Sequence, residues 1–273
     1  MIQDIYPSKL HNEFQPYTIT VGDVLLQFDA QGKILLGEEN GRAIFPRSTG
    51  QETGRMIYLF SLDEERFFLS MESAAEAAEG FAYYTIREAR DHFSGKEIFA
   101  AFTAYHLWKW YSDNIFCGKC AEKLDFDSKE RALRCPKCGN MIYPRINPAV
   151  IVGVIKGDCL LITKYNRGYA HSALVAGFTE IGETLEETVA REVMEETGIH
   201  VKNIRYYKSQ PWGMAQDILT GFYCDADGDE PIRMDAGELK YAEWVKREDI
   251  VLQPNNLSLT NEMMKRFQDG KEC

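Results

Sequence analysis

Long apolar runs are missing from this 273-residue chain. Nowhere do eighteen apolar residues follow one another, so no membrane-spanning helix is expected. The opening residues MIQDIYPSKLHNEF hold acids and none of the apolar core of a secretory leader. A cytoplasmic location with reduced thiols is therefore expected. Basic charge is also in short supply: 31 Lys and Arg face 42 Asp and Glu, a net charge of −11. That balance argues against nonspecific nucleic-acid binding, which needs a basic surface. An anionic substrate would have to be met by local cations. Histidine is scarce, and His11, His92, His106, His171 and His200 show no ligand spacing. Core or surface roles are expected for all five. There is no internal repeat and no low-complexity linker.

Apolar and aromatic residues, by contrast, suffice for a sizeable core: 45% of the chain is hydrophobic, with 15 Phe, 14 Tyr and 4 Trp. The length allows one to three domains. Four of the seven cysteines form an ordered set. Cys117-Gly-Lys-Cys120 is followed, after fourteen residues, by Cys135-Pro-Lys-Cys138. Two such knuckles at this separation read as a four-cysteine zinc ribbon. Gly118 and Gly139 are expected to ease the two turns. Four protein thiolates close the tetrahedron, so the zinc is structural. A reducing compartment argues against pairing these cysteines as disulfides. Cys159, Cys224 and Cys273 stand singly and read as core or tail residues.

The most ordered segment is 177–199, GFTEIGETLEETVAREVMEETGI, with seven acids in twenty-three positions. Glu192, Glu195 and Glu196 lie three and four apart, on one side of a helix. Like charges so spaced repel, and the arrangement gains nothing unless a cation sits among them. Carboxylate oxygens are hard ligands suited to Mg²⁺ or Mn²⁺. The same helix aligns Leu185, Val189 and Val193 as an apolar stripe, with Glu192 and Glu196 at its edge. Carboxylates there are poorly solvated and must be paired or metal-bound. Thr184 is the expected N-cap and Gly198 the expected terminator. Gly177 and Gly182 bracket a loop that delivers Glu183. An ordinary acidic surface helix would account for the charge but not for the ordered spacing.

The chain divides around the ribbon into 1–112, 113–143 and 144–273. In the first part, residues 23–28, 33–36 and 56–60 read as strands, and Asp29-Ala-Gln-Gly32 as a hairpin turn. A short helix is expected at 74–79. A second, at 96–111, carries Phe99, Phe102, His106 and Trp110 on one face. This half shows no catalytic signature and reads as an accessory α+β domain. In the last part, strands are expected at 149–155, 159–163, 173–176, 204–207, 218–224 and 241–245, with a terminal helix at 257–267.

The spacing Gly-x5-Glu-x7-Arg-Glu-Val-x-Glu-Glu-x-Gly-Ile resembles the Nudix box. Gly177, Glu183, Arg191, Glu192, Val193, Glu195, Glu196, Gly198 and Ile199 all fall in register. The resemblance implies an α/β/α sandwich that holds divalent metal and hydrolyses a nucleoside diphosphate linked to another group. Three further features resemble the NADH pyrophosphatases: the ribbon directly before the box domain, Tyr143-Pro-Arg-Ile-Asn-Pro148, and Ser209-Gln-Pro-Trp212. The last opens a family motif that runs on as Pro-Phe-Pro-x-Ser. Here Gly213-Met-Ala215-Gln216-Asp217 stands instead. Met214 can still pack against a flat ring, while Gly213 is expected to loosen the loop.

By this resemblance, the catalytic metal ligands are Glu192, Glu195, Glu196, Glu238 and the carbonyl of Ala176. Glu183 and Arg191 brace the box between Gly177 and Gly198. Glu130, Tyr143 and the run Gln210, Pro211, Trp212, Gly213, Met214, Ala215, Gln216, Asp217 match substrate positions, and Arg90 matches one loosely. The implied reaction splits NAD(H) into nicotinamide mononucleotide and AMP, and the family also admits removal of an NAD cap from RNA. A homodimer is implied. Two rivals remain: hydrolysis of another nucleotide such as ADP-ribose, and a nucleotide-sensing regulator without turnover.

Overall fold

Residue alternation and helix caps decide most of the local structure in the computed structural model, which describes residues 1–72, 77–166 and 171–272. The chain falls into two compact units. One comprises residues 3–145 with 213–216, the other 1–2, 146–212 and 217–273.

The first unit contains β1 (Leu10–His11), β2 (Val24–Leu26), β3 (Ile34–Glu39), β4 (Arg42–Ile44), β5 (Met56–Leu62), β6 (Glu65–Ser70) and β7 (Phe81–Tyr84). They form two sheets, ordered β1-β5-β6-β2 and β4-β3-β7. Helices α1 (Ile86–His92) and α2 (Lys96–Asp113) follow, so the unit is α+β as expected. The Asp29–Gly32 turn forms, with the Asp29 carboxylate accepting from the backbone N–H of Gln31 and Lys33. It does not join two strands of one sheet, however. Apart from the bridge Phe28–Ile34, β2 pairs with β6 and β3 with β4 and β7. β2 and residues 34–37 of β3 are buried, each in a different sheet. The helix expected at 74–79 lies partly outside the described residues, and the described residues 77–79 are not helical. Helix α2 is apolar well beyond one stripe: Ile98, Phe99, Ala100, Ala101, Phe102, Ala104, Leu107, Trp110 and Tyr111 are all buried.

The ribbon, expected as its own domain over 113–143, groups with this unit. Its three short strands, β8 (Asp125–Phe126), β9 (Leu133–Arg134) and β10 (Met141–Ile142), are ordered β10-β9-β8. So small an element has little core of its own and packs on its neighbours. Arg131 donates to Asn12 Oδ1 and to the Leu59 carbonyl, and Arg55 lies 4.5 Å over the Phe126 ring.

The second unit is built on β11 (Asn147–Lys156), β12 (Cys159–Tyr165), β13 (Val175–Phe178), β14 (Val201–Trp212), β15 (Asp217–Ala226) and β16 (Leu239–Lys246). The sheet runs β14-β15-β11-β12-β16, with β13 also paired to β11. The near-continuous apolar run of β11 reflects burial on both faces. Val150, Val152 and Val154 pack with Val189 and Val193 of α3 (Leu185–Thr197). Ile151 and Tyr223 pack on the other face with Leu259, Met263 and Phe267 of α4 (Leu259–Gln268). This is the expected α/β/α sandwich. Strands β14, β15 and β16 run longer than periodicity suggested because their ends are paired in the ladder. Cys224 is a buried core residue.

Candidate active site and zinc ribbon

In the ribbon, the four cysteine Sγ atoms lie within 4.8 Å of one another. The closest pairs, Cys120–Cys135 and Cys120–Cys138, are both 3.5 Å apart. That is far beyond disulfide length and suits four thiolates about one ion. Each knuckle closes the same way: Ala121 N donates to Cys117 O, and Gly139 N to Cys135 O. The tight residue is the one after the second cysteine of each knuckle, where the chain reverses. Gly139 has φ +72° and Ala121 φ +60°. Gly118 takes no such conformation, so its expected role passes to Ala121. Backbone N–H groups of Lys119 and Cys120 draw the Cys117 thiol down to about 6, favouring the thiolate a zinc ion needs.

In the box, Thr184 caps α3 through a reciprocal pair. Its Oγ1 accepts from Glu187 N, and its own N donates to Glu187 Oε2 at 2.7 Å. Gly198 ends the helix at φ +68°. Arg191 spends all five of its N–H donors on the loop–helix unit. Two hydrogen bonds go to Glu183 (2.6 and 3.0 Å), one to Glu192 (2.8 Å), one to Glu195 (2.9 Å) and one to the Phe178 carbonyl (2.9 Å). Glu183 also accepts from Glu180 N and Thr188 Oγ1. The Arg191 bonds first, then Glu180 N, hold its carboxyl down at about 2. These bonds tie Glu183 and Arg191 to each other, to the loop and to the helix.

Glu192 and Glu196 are set differently. Burial raises Glu192, and its carboxylate rests on Gly177, where an added Cβ would fall 1.9 Å from Glu192 Cδ. A larger residue at 177 would have to displace the Glu192 carboxylate. Glu196 is 2% exposed, and burial pushes it up to about 8, with Glu192 and Glu238 adding like-charge repulsion. Its carboxylate oxygens lie 2.9 and 3.1 Å from the Tyr165 hydroxyl. Glu195 and Glu238 are exposed. Among the described residues, only the four cysteines bring three or more ligand atoms within 4.8 Å. Glu192 and Glu195 share Nη1 of Arg191, whereas Glu196 is bonded to Tyr165. Glu196, a buried acid whose charged neighbours Glu192 and Glu238 are also acids, fits a divalent cation, which would remove the penalty on it.

A NUDIX domain model matches residues 145–267, and an NADH pyrophosphatase zinc ribbon domain model matches residues 112–143. Residues 145–267 therefore form a Nudix domain. Curated relatives include a NAD-capped RNA hydrolase NudC from Klebsiella pneumoniae subsp. pneumoniae. It is 43% identical over 151 residues, 54% of this chain and 58% of that protein. The protein of the same name from Salmonella typhi is 42% identical over 150 residues, again 54% and 58%. The chain therefore matches little more than half the length of these relatives. A Nudix hydrolase structure from Nitrosomonas europaea aligns with TM-score 0.51 and 21% identity, over 57% of this chain and 91% of that one. The Nudix fold of the second unit is common to both.

The remaining site candidates divide between the two units. In the first unit, Tyr143 donates to Glu130 Oε2 at 2.9 Å, bringing two predicted substrate residues together on an exposed surface. Arg90 is buried and bonded to Asp91. Gln216 accepts from Arg145 at 2.8 Å. Gly213 does not loosen its loop. It is buried, and an added Cβ would lie 2.1 Å from the Phe102 carbonyl oxygen. We expect Gly213→Ala to lower stability by about 1–3 kcal/mol, as overpacking does. A urea midpoint equal to wild type would show that the turn relaxes freely.

In the Nudix unit, Gln210 is fully buried. Its Nε2 donates to Leu257 O at 2.8 Å and its Oε1 accepts from Leu259 N at 2.7 Å, so its amide ties β14 to the start of α4. Pro211 is exposed and Trp212 half-buried. Asp217 is 5% exposed with Oδ1 unpartnered, and burial raises its carboxyl to about 7. Between the ordinary value of 3.8 and about 7, the folded chain holds a proton the unfolded chain has lost, so this carboxyl makes stability fall as pH rises through that window. Asp217→Asn should match wild-type Tm at pH 4 and exceed it at pH 8. An equal Tm at pH 8 would mean the charge is compensated.

Two residues that touch the cluster carried no sequence signal, Tyr165 and Asn166. Neither belongs to the box spacing, and Glu196 lies 31 positions from Tyr165.

Proposed function

We propose that this chain is a metal-dependent diphosphohydrolase that splits NAD(H) into nicotinamide mononucleotide and AMP, and that it accepts NAD-capped RNA 5′ ends. The observation that carries the hydrolase reading is Glu196, a buried carboxyl on the box helix whose charged neighbours Glu192 and Glu238 are acids as well. The dinucleotide reading draws on the ribbon, on Tyr143-Pro-Arg-Ile-Asn-Pro148 and Ser209-Gln-Pro-Trp212, and on relatives named as NAD-capped RNA hydrolases.

Glu192, Glu195, Glu196, Glu238 and the Ala176 carbonyl would hold Mg²⁺ or Mn²⁺. A divalent ion there supplies charge neutralisation of the diphosphate and a lowered pKa for a bound water. Arg191 keeps Glu192 and Glu195 aimed. A carboxylate oxygen of the cluster accepts the proton of the attacking water, and attack at one phosphorus proceeds in line with the leaving oxygen. Glu130, Tyr143, Pro211, Trp212, Met214 and Ala215 are proposed substrate contacts, with the Met214 thioether against a ring. Gln210, Gly213 and Gln216 support the loop and strand that carry them. A homodimer in the cytoplasm completes the proposal. Among the described residues no helix is long and apolar enough to cross a membrane.

The test is mass spectrometry of the products from NADH, NAD⁺, ADP-ribose and an NAD-capped RNA oligomer, each with Mn²⁺ or Mg²⁺. AMP and the nicotinamide mononucleotide are expected from the dinucleotides. Faster release of AMP from ADP-ribose would favour the rival that Gly213-Met-Ala215 keeps open. No turnover of any substrate would point to a sensor.

A further inference from the structure

Tyr165 closes β12, and Asn166 follows it. Between Lys164 and Tyr165 the ladder to β16 slips: Lys164 faces Tyr241, whereas Tyr165 faces Leu239. The dipeptide then makes a set of contacts that no local pattern announces. The Tyr165 hydroxyl lies 2.9 and 3.1 Å from the two Glu196 carboxylate oxygens, and it accepts from Ala176 N at 3.0 Å. The backbone N–H of Asn166 donates to the Glu238 carbonyl at 2.8 Å. Its side-chain Nδ2 reaches the carbonyls of Ala236 and Gly237 at 3.0 and 3.3 Å. Two adjacent residues thus fasten helix α3 at Glu196, strand β13 at Ala176 and the turn bearing Glu238.

We propose that Tyr165 and Asn166 form a positioning pair that sets the three parts of the acidic cluster lying outside the reach of Arg191. The inference rests on the metal-dependent reading above. Its physical logic is the neutrality of both groups. An arginine or lysine beside Glu196 would fix the carboxylate but cancel the charge a cation needs. A hydroxyl has one proton to give, so it orients Glu196 and leaves its negative charge and remaining lone pairs for a metal. Its own lone pair accepts the Ala176 N–H at 3.0 Å, and the hydroxyl also lies 3.3 Å from the Ala176 carbonyl oxygen, so both polar groups of that residue are held. Asn166 acts likewise through neutral N–H groups on the turn before β16. The division of labour is clear: Arg191 holds Glu192 and Glu195, where one cation faces several acids, while neutral donors hold the buried acid and the turn.

The experiment compares Tyr165→Phe and Asn166→Ala with wild type in the full zinc-loaded chain. Mn²⁺ binding is titrated by the electron paramagnetic resonance signal of free Mn²⁺, and kcat and KM for NADH are measured at saturating Mn²⁺. Removing groups that orient metal ligands typically costs about 10–100-fold in affinity or activity. For Tyr165→Phe we expect the Mn²⁺ Kd to rise about 10-fold and kcat to fall about 10-fold, with KM for NADH changed by less than about twofold. Asn166→Ala should shift Kd and kcat in the same directions by a smaller factor. A role confined to packing would lower Tm and leave the Mn²⁺ affinity of the folded protein as in wild type, and that result overturns the proposal. Should Tyr165→Phe fail to fold, Asn166→Ala decides by the same titration. If wild type turns over none of the nucleotides, the functional reading fails, while the Mn²⁺ titration still decides the role of the pair.

Discussion

Glu196→Gln is expected to lower kcat on NADH by about 10², a loss of roughly 3 kcal/mol of transition-state stabilisation. The substitution keeps the shape of the side chain and its acceptor for the Tyr165 hydroxyl, and it removes one negative charge from the cluster. If the acids serve to hold cations, that charge is what matters. The same variant should be more stable than wild type when no divalent metal is present, and the sign follows from burial. The Glu196 carboxyl sits at about 8 in the fold against an ordinary 4.5. Between those values the folded chain retains a proton that the unfolded chain has released, so stability falls as pH rises. Glutamine has no such dependence. The Tm advantage of the variant should therefore be small near pH 5 and grow to several degrees by pH 9. The control is Glu186→Gln, an exposed first-turn acid. Glu187 is less suitable because its carboxylate closes the capping box. Equal kcat in the Glu196 and Glu186 variants would sink the metal-site reading.

The second large effect concerns the ribbon. Cys135→Ser replaces a buried thiol in a set of four whose sulfurs lie within 4.8 Å of one another. Losing one ligand of a closed zinc site forfeits much of a binding energy on the order of 10 kcal/mol, which in such sites is folding energy. Folded, soluble yield should drop by about tenfold or more. The loss should spread beyond the ribbon, because Arg131 fastens it to Asn12 and the Leu59 carbonyl. Metal analysis of the purified wild type should give about one tightly held zinc per chain. Wild-type protein that folds fully after exhaustive chelation would contradict a structural zinc.

Much of this site is legible in the sequence alone. The cysteine knuckles and the box spacing are short, local patterns, and their chemistry demands fixed residue types at fixed separations. Thr184, Gly198, Arg191 and Glu183 took the places expected of them because caps and helix-face pairs are decided within one or two turns of chain. The apolar stripe of Leu185, Val189 and Val193 likewise put Glu196 at a buried edge.

Contacts between distant segments were not legible. Tyr165 meets Glu196 and Asn166 meets the Glu238 turn only after β12, α3 and β16 have assembled. The tie of the Gln210 amide to the start of α4 has no counterpart in the local sequence. Gly213 looked like a source of looseness until the Phe102 carbonyl was found where a Cβ would go. The Asp29 turn did form, but sheet pairing sent its two arms to different sheets. The sequence by itself determined the metal-binding spacings, the caps and the alternation that buries each strand, since these depend on neighbours along the chain. Only the tertiary structure decided which carboxyls are stripped of water, which glycines face backbone and which neutral donors reach the acidic cluster, because these depend on packing between residues tens of positions apart, and such packing leaves no periodic trace.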